Sequence, residues 1–207
     1  MTSRSHGLNK AWAVPLFLFL LALGLRLVSV SGKSLWGDEF YAAGLMDKSI
    51  GDLVSDSFRG SPHPPLAFVS LKVSAILFGT SEAGLRAVPA VLSALAVLPL
   101  YLFLKPRFGT GPSLIAGLLW AVSPYSVSLG QEVWIYGILA ASGFTFIWLA
   151  DLAWNGNRHA ALLLVPVGLA GMLVQHLFFL FVAAGFLLYF TIEQLKRVPL
   201  KKFLIQA

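Results

Sequence analysis

Residues 11–30 read AWAVPLFLFLLALGLRLVSV, an apolar run that follows Arg4 and Lys10. Because an α-helix rises about 1.5 Å per residue, a run of this length extends about 30 Å, enough to cross the hydrocarbon core of a bilayer. A cleaved signal peptide is the alternative interpretation, but the run is long for one, contains Arg26 and is followed by further apolar runs. The run therefore predicts a retained membrane anchor.

The composition of the whole chain also indicates a membrane protein. Of its 207 residues, 57% are hydrophobic and 12% are charged, whereas soluble domains carry about 25% charged residues. A core of this size cannot bury all 16 Phe and 6 Trp. Lipid must solvate much of the protein, which disfavours a soluble enzyme, a disordered protein and a nucleic-acid-binding domain. The absence of cysteine excludes disulfides and thiolate chemistry.

Five further apolar runs predict an all-α fold, a polytopic transmembrane helix bundle of about six spans that forms one membrane domain over residues 1–207. With the first run, the predicted spans cover residues 11–30, 86–104, 112–128, 135–153, 160–175 and 177–195. Another apolar stretch, residues 65–79, is short and has Lys72 at its centre. A lysine at mid-bilayer is costly, so this stretch is predicted to lie in the interface or against the bundle, with Lys72 in water or in the site.

The positions of the charges predict the orientation. The net charge is +6 at pH 7, and Lys and Arg gather at the ends of apolar runs. If residues 65–79 do not cross, the basic N-terminus, the basic loops and the basic C-terminal tail all lie on one side, as the positive-inside rule requires. Both termini are then cytoplasmic, and residues 31–85 form a long non-cytoplasmic loop with juxtamembrane helices. A bacterial cytoplasmic membrane is the expected location, with the endoplasmic reticulum as the alternative.

The most informative polar stretch is SLWGDE, residues 34–39, directly after the first span. One interpretation is a solvated helix start, since Gly37 and Asp38 suit an N-cap and acidic side chains favour helix N-termini. The other is catalysis, in which one carboxylate takes a proton from an attacking hydroxyl while its neighbour orients it or holds a cation. Asp38 and Glu39 are therefore the candidate catalytic residues.

His63 and Arg86 are candidates for binding substrate, and each has a structural alternative. His63 stands among prolines, so it could donate to a phosphate or sugar oxygen or simply end a rigid loop. Arg86 could bind a lipid-linked phosphate at the mouth of a span. It could also form a local helical ion pair with Glu82, four residues earlier.

Two later segments add further binding candidates. Glu132 and Tyr136 fall in a predicted outer loop, where Trp134 and Tyr136 also suit an aromatic belt at the membrane surface. Gln175 and His176 interrupt an apolar region, and a polar pair near a membrane is a functional hypothesis, with a structural hydrogen bond as the alternative for His176.

The order and spacing of these motifs resemble the polytopic glycosyltransferases of the GT-C class. The branch most similar to this chain holds protein O-mannosyltransferases and bacterial aminoarabinose transferases of lipid A. The likeness rests on a first span followed by W-x-D-E, a proline pair, G-x-x-E-x-x-x-R opening the next span, and S-P followed by Q-E-x-x-x-Y. Here these are Trp36-Gly37-Asp38-Glu39, Pro64-Pro65, residues 79–86, Ser123-Pro124 and residues 131–136.

The resemblance implies a sugar donor linked to a polyprenyl phosphate, used on the non-cytoplasmic face to glycosylate a hydroxyl of a glycan, lipid or protein acceptor. By resemblance, Asp38 is the catalytic carboxylate, Glu39 supports it and Arg86 helps to hold the donor phosphate. One displacement with Asp38 as base predicts inversion at the anomeric carbon. We expect no cofactor and no metal, because two adjacent acids do not fill the ligand shell of a hard cation.

Two features depart from that family. Members usually carry an arginine two residues before the tyrosine of the Q-E block, where this chain has Trp134. They also run to several hundred residues with more spans, so the chain is expected to be the N-terminal part of such an enzyme, a truncated frame or a small member. A non-catalytic membrane subunit or inactive fragment of the same fold is the alternative function. A small transporter or channel is a third, whose usual broken helices in paired repeats are not evident in the sequence.

Overall fold

The computed structural model describes residues 3–28, 30–61 and 63–197, and every regular element in those ranges is helical. The all-α prediction is therefore confirmed. A short 3₁₀ helix, Val30–Gly32, follows the first α-helix. The α-helices are α1 (Ser3–Leu27), α2 (Gly37–Gly44), α3 (Ile50–Phe58), α4 (Pro65–Phe78), α5 (Glu82–Leu95), α6 (Val97–Phe108), α7 (Thr110–Val122), α8 (Pro124–Gly130), α9 (Tyr136–Trp154), α10 (Arg158–Val174) and α11 (Phe178–Arg197).

Three segments of the described chain are long and apolar enough to cross a bilayer: Trp12–Gly32, Glu82–Phe108 and Tyr136–Trp154, of 21, 27 and 19 residues. A fourth crossing follows if α7 and α8, which meet at 57°, form one bent span. These four segments correspond to the first four predicted spans, and they confirm an integral membrane protein with a polytopic helical bundle. The predicted spans at 160–175 and 177–195 coincide with α10 and α11, for which membrane crossing stays a prediction.

Two polar contacts mark the opposite ends of the bundle. At one end, Arg86 near the start of α5 donates to the carbonyl of Val30, just after α1, at 2.9 Å; we call this the upper end. At the other, Arg107 near the end of α6 forms an ion pair with Asp151 near the end of α9; we call this the lower end. The segments α1, α5–α6 and α9 run between these two ends.

Helix α4 has contacts at both of its ends with the upper end of the bundle. His63, two residues before α4, packs edge-to-face on Trp134, with ring centroids 4.8 Å apart. Near the other end of α4, Ser74 Oγ donates to the carbonyl of Gly84 at 2.7 Å, within one helical turn of Arg86. These contacts pack α4 against the upper end of the bundle, while its position relative to the membrane stays a prediction.

The spans pack closely through small side chains. Ala22 of α1, Ala94 of α5 and Ala121 of α7 form one fully buried cluster. In a bilayer, van der Waals contact between closely spaced backbones is a main force between helices, and small residues permit it. Large apolar side chains of α1 such as Leu16 and Phe17 are more than half exposed, as expected where lipid is the solvent.

Buried Arg26 connects α1 to the bend between α7 and α8. Its Nε donates to Ser93 Oγ of α5 at 2.8 Å. Its two terminal nitrogens reach the carbonyls of Trp120, Ala121 and Ser126, each at 3.4 Å. The last carbonyls of a helix have no partner within that helix, and no water is available to them inside a bilayer. Arg26 supplies the missing donors, which explains a positive charge within the first span.

We predict that Gly137→Ala destabilises the bundle. A Cβ at this position of α9 would collide with the carbonyl oxygen of Pro89 in α5, a backbone atom that cannot rotate away. Overpacking of this kind costs about 1–3 kcal/mol, so we expect the thermal unfolding midpoint in detergent to fall by about 5 °C. Gly143→Ala on the same helix is the control, because its Cβ would meet Phe178 and Phe181 at ordinary distances of 3.8 and 3.9 Å. Equal midpoints for the two variants would contradict the close packing of α5 and α9.

Candidate active site

Glu39 and Arg86 form a buried ion pair at the upper end of the bundle. Their side chains are 2% and 1% exposed. Arg86 donates to both carboxylate oxygens, from Nε to Oε1 at 3.2 Å and from Nη2 to Oε2 at 2.9 Å, which is the bidentate geometry that a planar guanidinium favours. The backbone N–H of Val133 adds a further hydrogen bond to Oε1 at 2.7 Å. The pair therefore joins α2, α5 and the segment before α9.

Arg86 has an acceptor within the protein for each of its N–H groups. Besides the carboxylate, Nη1 donates to the carbonyls of Val30 at 2.9 Å and Lys33 at 2.7 Å. Nη2 also reaches the carbonyl of Ser34 at 3.5 Å. The predicted local partner Glu82 is more distant, at 3.9 Å from Nη1, and is 40% exposed. Because a guanidinium has five N–H groups, a phosphate could bind Arg86 only by displacing one of these contacts.

Asp38 precedes Glu39 on α2, but its carboxylate is exposed. Helix α2 begins after Trp36, whose backbone N–H donates to Glu39 Oε2 at 3.4 Å. Successive helical side chains point about 100° apart, so burial of Glu39 leaves Asp38 on the open surface. Among the residues that the structure describes, none donates a hydrogen bond to the Asp38 carboxylate. The two neighbouring acids thus have opposite environments, and only Asp38 is accessible to a substrate.

Glu132 and His63 lie within electrostatic range of Asp38. Burial raises the pKa of Glu132, and the negative charges of Glu39 and Asp38 raise it further. Burial lowers the pKa of His63; the charge of Asp38 opposes this shift, and that of His176 adds to it. The surroundings therefore favour the uncharged forms of both the Glu132 carboxyl and the His63 imidazole.

Within the described part of the chain, Oε2 of Glu132 and Nδ1 of His63 are buried polar atoms without a hydrogen-bond partner. An unpaired buried polar atom costs about 1–3 kcal/mol, so a ligand that pairs with these atoms would recover free energy on binding. The His63 ring packs edge-to-face between Trp134 and Phe68, with centroid separations of 4.8 and 6.1 Å. Trp134 is only 7% exposed, so it positions His63 and does not belong to an aromatic belt facing lipid.

A groove of about 490 Å³ adjoins this cluster. It follows α9 from Tyr136 through Leu139 and Gly143 to Phe144, which is about two helical turns down from the upper end. The charges of Asp38 and Glu132 act on the Tyr136 hydroxyl, so Tyr136 belongs to both the groove and the polar cluster. The rest of the lining is mostly apolar or aromatic: Ser93, Trp120, Tyr125, Ser126, Leu129, Gly130, Ala140, Gln175, Leu177, Phe178 and Phe181.

The structure brings together seven of the eight predicted site residues, through direct contact or mutual electrostatic influence. They are Asp38, Glu39, His63, Arg86, Glu132, Tyr136 and His176. Half-buried Lys72 makes a different contact: its ammonium donates to the carbonyl of Met46, between α2 and α3, which ties α4 to that connection. The roles of all eight in binding or catalysis stay predictions.

Sequence reasoning did not assign roles to Gln131 and Lys33. Gln131 is 5% exposed; its Nε2 donates to the carbonyls of Arg26 at 3.1 Å and Val28 at 2.8 Å, at the end of α1. Its Oε1 accepts from Lys33 Nζ at 2.9 Å. The available signal was the place of Gln131 in the Q-E block, but its partner Lys33 is 98 residues away in the chain, and no local pattern reveals such a pairing.

The acidic side chains of the site differ in their capacity to bind a metal ion. No group of three or more His, Cys, Asp or Glu side chains in the described chain is arranged to hold a metal ion. Of the two adjacent acids, Glu39 already has its oxygens occupied by Arg86 and the backbone. The expectation of a metal-independent reaction stays a prediction.

Residues 62–207 match the model of a family described as dolichyl-phosphate-mannose-protein mannosyltransferase. No curated protein and no solved structure matches the chain. The matched range includes Arg86, Glu132 and Tyr136 but begins after Asp38 and Glu39, so the match itself gives no support to the roles of those two acids. Because the match covers more than half of the sequence and agrees with the resemblance in the motifs, the chain belongs to the dolichyl-phosphate-mannose-protein mannosyltransferase family and is a membrane glycosyltransferase of the GT-C type.

Proposed function

We propose that the protein transfers a sugar, by its family a mannosyl group, from a polyprenyl phosphate to an acceptor hydroxyl on the non-cytoplasmic face of the membrane. One observation carries the proposal: of two adjacent carboxylates, Glu39 is buried against Arg86 while Asp38 is exposed beside Glu132 and His63. A general base must be accessible and must also be held within hydrogen-bond reach of the proton it takes. The buried ion pair fixes α2 and so holds the adjacent Asp38 in position.

In the proposed reaction, Asp38 accepts the proton of the acceptor hydroxyl as the hydroxyl oxygen attacks the anomeric carbon. The bond from that carbon to the phosphate oxygen breaks, and the polyprenyl phosphate leaves with the bonding electrons. A single displacement inverts the anomeric configuration. Glycosyl transfer has an oxocarbenium-like transition state, which a nearby carboxylate stabilises. The unpaired Oε2 of Glu132 is an acceptor for a sugar hydroxyl.

The groove beside Tyr136 suits the isoprenoid chain of the donor. Its wall is almost entirely apolar, and it meets the polar cluster at the upper end. A lipid chain along α9 would place its phosphate near Tyr136, with the sugar towards Asp38 and Glu132. The acceptor hydroxyl would then approach from the exposed side of Asp38.

The charge distribution supports a non-cytoplasmic upper end. Lys105 and Arg107 lie in the last turn of α6, and Arg158 begins α10 directly after α9 ends, so these three cations belong to the lower end. The carboxylates Asp38 and Glu132 belong to the upper end. By the positive-inside rule the lower end faces the cytoplasm, with both termini on that side, and in a bacterium the membrane would be the cytoplasmic one.

We predict that Asp38→Asn lowers the rate of sugar transfer by about 100-fold or more, because the amide cannot accept the proton of the acceptor. The measurement is transfer from labelled polyprenyl-phosphate mannose in reconstituted vesicles, with the thermal midpoint as the check on folding. Asp47→Asn, an exposed acid of the same loop, is the matched control and should keep wild-type activity. A folded Asp38→Asn protein with wild-type activity would contradict the proposal, and inactivity of the wild type with several donors would favour a non-catalytic subunit.

We predict that Glu39 and Arg86 contribute to stability as a coupled pair. Glu39→Gln leaves a buried guanidinium without its counter-charge, and breaking such a pair costs about 3–5 kcal/mol. Glu39→Gln and Arg86→Met should each lower the thermal midpoint, and the double variant should lose clearly less than the sum. The same cycle on Lys48 and Asp56, which pair on the surface at 45% and 46% exposure, should show little coupling. Additive losses for Glu39 and Arg86 would argue against the pair.

We predict that Glu132→Gln changes the pH dependence of stability. Burial raises the pKa of Glu132 above its ordinary 4.5, so the folded state favours the protonated carboxyl. The resulting contribution to the free energy of unfolding is complete below about pH 4. It is lost as the pH rises through the raised pKa. The thermal midpoint of Glu132→Gln should therefore match the wild type at about pH 4 and exceed it by a few degrees at neutral pH. Asp47→Asn serves as the exposed control. A constant difference between Glu132→Gln and wild type across this range would refute the burial of the charge.

A further inference from the structure

We propose that Lys33 is the cation that binds the phosphate of the lipid-linked donor. This inference rests on the proposed function and deepens it, because neither the family match nor the sequence motifs single out Lys33. A phosphate at the upper end would lie near the exposed carboxylate of Asp38, and two like charges close together need a cation with unused donors. Lys33 meets this requirement, because only one N–H of its ammonium is paired within the described part of the protein.

Arg86 and Lys72, the two other Lys and Arg side chains considered for the site, already have partners within the protein. Two cations act on the Glu132 carboxylate, Lys33 and Arg86. All five N–H groups of Arg86 have acceptors within the protein. The ammonium of Lys72 donates to the carbonyl of Met46. Lys33 is exposed, and of the three N–H groups on its ammonium one goes to Gln131 Oε1, so two remain for a ligand.

Lys33 is also held in place at both its backbone and its side-chain ammonium. Its backbone carbonyl accepts from Arg86 Nη1 at 2.7 Å, and its ammonium donates to Gln131 Oε1 at 2.9 Å. Gln131 cannot turn away freely, because its Nε2 is bonded to carbonyls at the end of α1, among them that of Val28 at 2.8 Å. A preorganised ammonium binds an anion at a lower entropic cost than a free surface lysine does.

Two links connect the Lys33 ammonium to the region where the groove meets the polar cluster. Leu129 and Gly130 line the groove, and Gln131, which holds the Lys33 ammonium, is the next residue. Glu132, on which Lys33 acts, in turn acts on Tyr136 at the groove lining. A phosphate whose lipid chain occupies the groove would therefore emerge next to Lys33.

The position also suits the chemistry of the leaving group. The donor phosphate is a diester with one negative charge, and the departing polyprenyl phosphate becomes a monoester that carries between one and two charges at neutral pH. The interaction with a fixed ammonium strengthens as the glycosidic bond breaks, which stabilises the transition state. Lys33 would thus contribute to donor binding and to the rate of transfer.

The test compares binding of two probes, farnesyl phosphate and the uncharged farnesol, to the full chain in nanodiscs. We expect the wild type to bind the phosphate more tightly than the alcohol. Lys33→Gln should weaken farnesyl phosphate binding by about 10-fold, or 1.4 kcal/mol, with farnesol binding unchanged. Lys33→Arg should restore most of the affinity because it keeps the charge. Lys48→Gln, another lysine of the same loop, should bind both probes as the wild type does.

Each contrary outcome has a distinct meaning. If the wild type prefers farnesyl phosphate and Lys33→Gln prefers it equally, Lys33 does not bind the phosphate, while the proposed function stands. If Lys33→Gln loses both probes or its thermal midpoint falls sharply, Lys33 acts only as a structural link to Gln131, and the inference is wrong. If the wild type does not distinguish the two probes, the site does not recognise a phosphate, and the proposed function fails together with the inference.

Discussion

The buried ion pair between Glu39 and Arg86 is the interaction on which the rest of the upper end depends. Burying two charges costs several kcal/mol per ion, and the structure offsets that cost by giving every donor and acceptor of the pair a partner. The pair fixes α2 against α5 and against the segment before α9. Glu39 points inward, and its neighbour Asp38, turned by about 100° around the helix, is exposed, so the ion pair that orients α2 also helps to set the position of the proposed base.

The same principle organises the passage from α1 to α2. The carbonyls of this stretch would lack partners at the end of a membrane helix, and side chains from distant parts of the chain supply the donors. Gln131 donates hydrogen bonds to the carbonyls of Arg26 and Val28, and Arg86 donates to those of Val30 and Lys33. Two side chains from other elements thus hold the segment that carries Lys33 at four of its described carbonyls.

Local features of the sequence were sufficient to predict the helical architecture. Apolar runs and the basic residues at their ends are contiguous in the chain, so the first four spans could be located without knowledge of contacts. The membership of the cluster was also predictable in large part, because polar residues beside membrane spans are few. The number of membrane crossings formed by α10 and α11 is harder to predict from the sequence, because the 17-residue α10 is close to the minimum length for a span.

The roles of individual residues depended on contacts that are distant in sequence. Arg86 has a local acidic neighbour in Glu82, four residues away, yet its buried partner is Glu39, 47 residues away. Glu39 and Asp38 are adjacent and chemically alike, so no pattern could tell which one is buried. Trp134 suited an aromatic belt by its position, but it packs inside against His63. In each case tertiary packing selected one of several options that the local sequence allowed.

A donor that is part lipid and part sugar requires a site with two opposite kinds of surface in contact. In this protein the apolar groove along α9 and the polar cluster meet at Tyr136, which belongs to both. The charges that hold the fold, Arg86 and Glu39, are buried and saturated, whereas the charges assigned to chemistry, Asp38 and Lys33, are exposed and keep unused hydrogen-bonding capacity. This division allows the reacting groups to change charge during transfer without disturbing the buried network, because the ionic groups that stabilise the fold do not have to take part in the reaction.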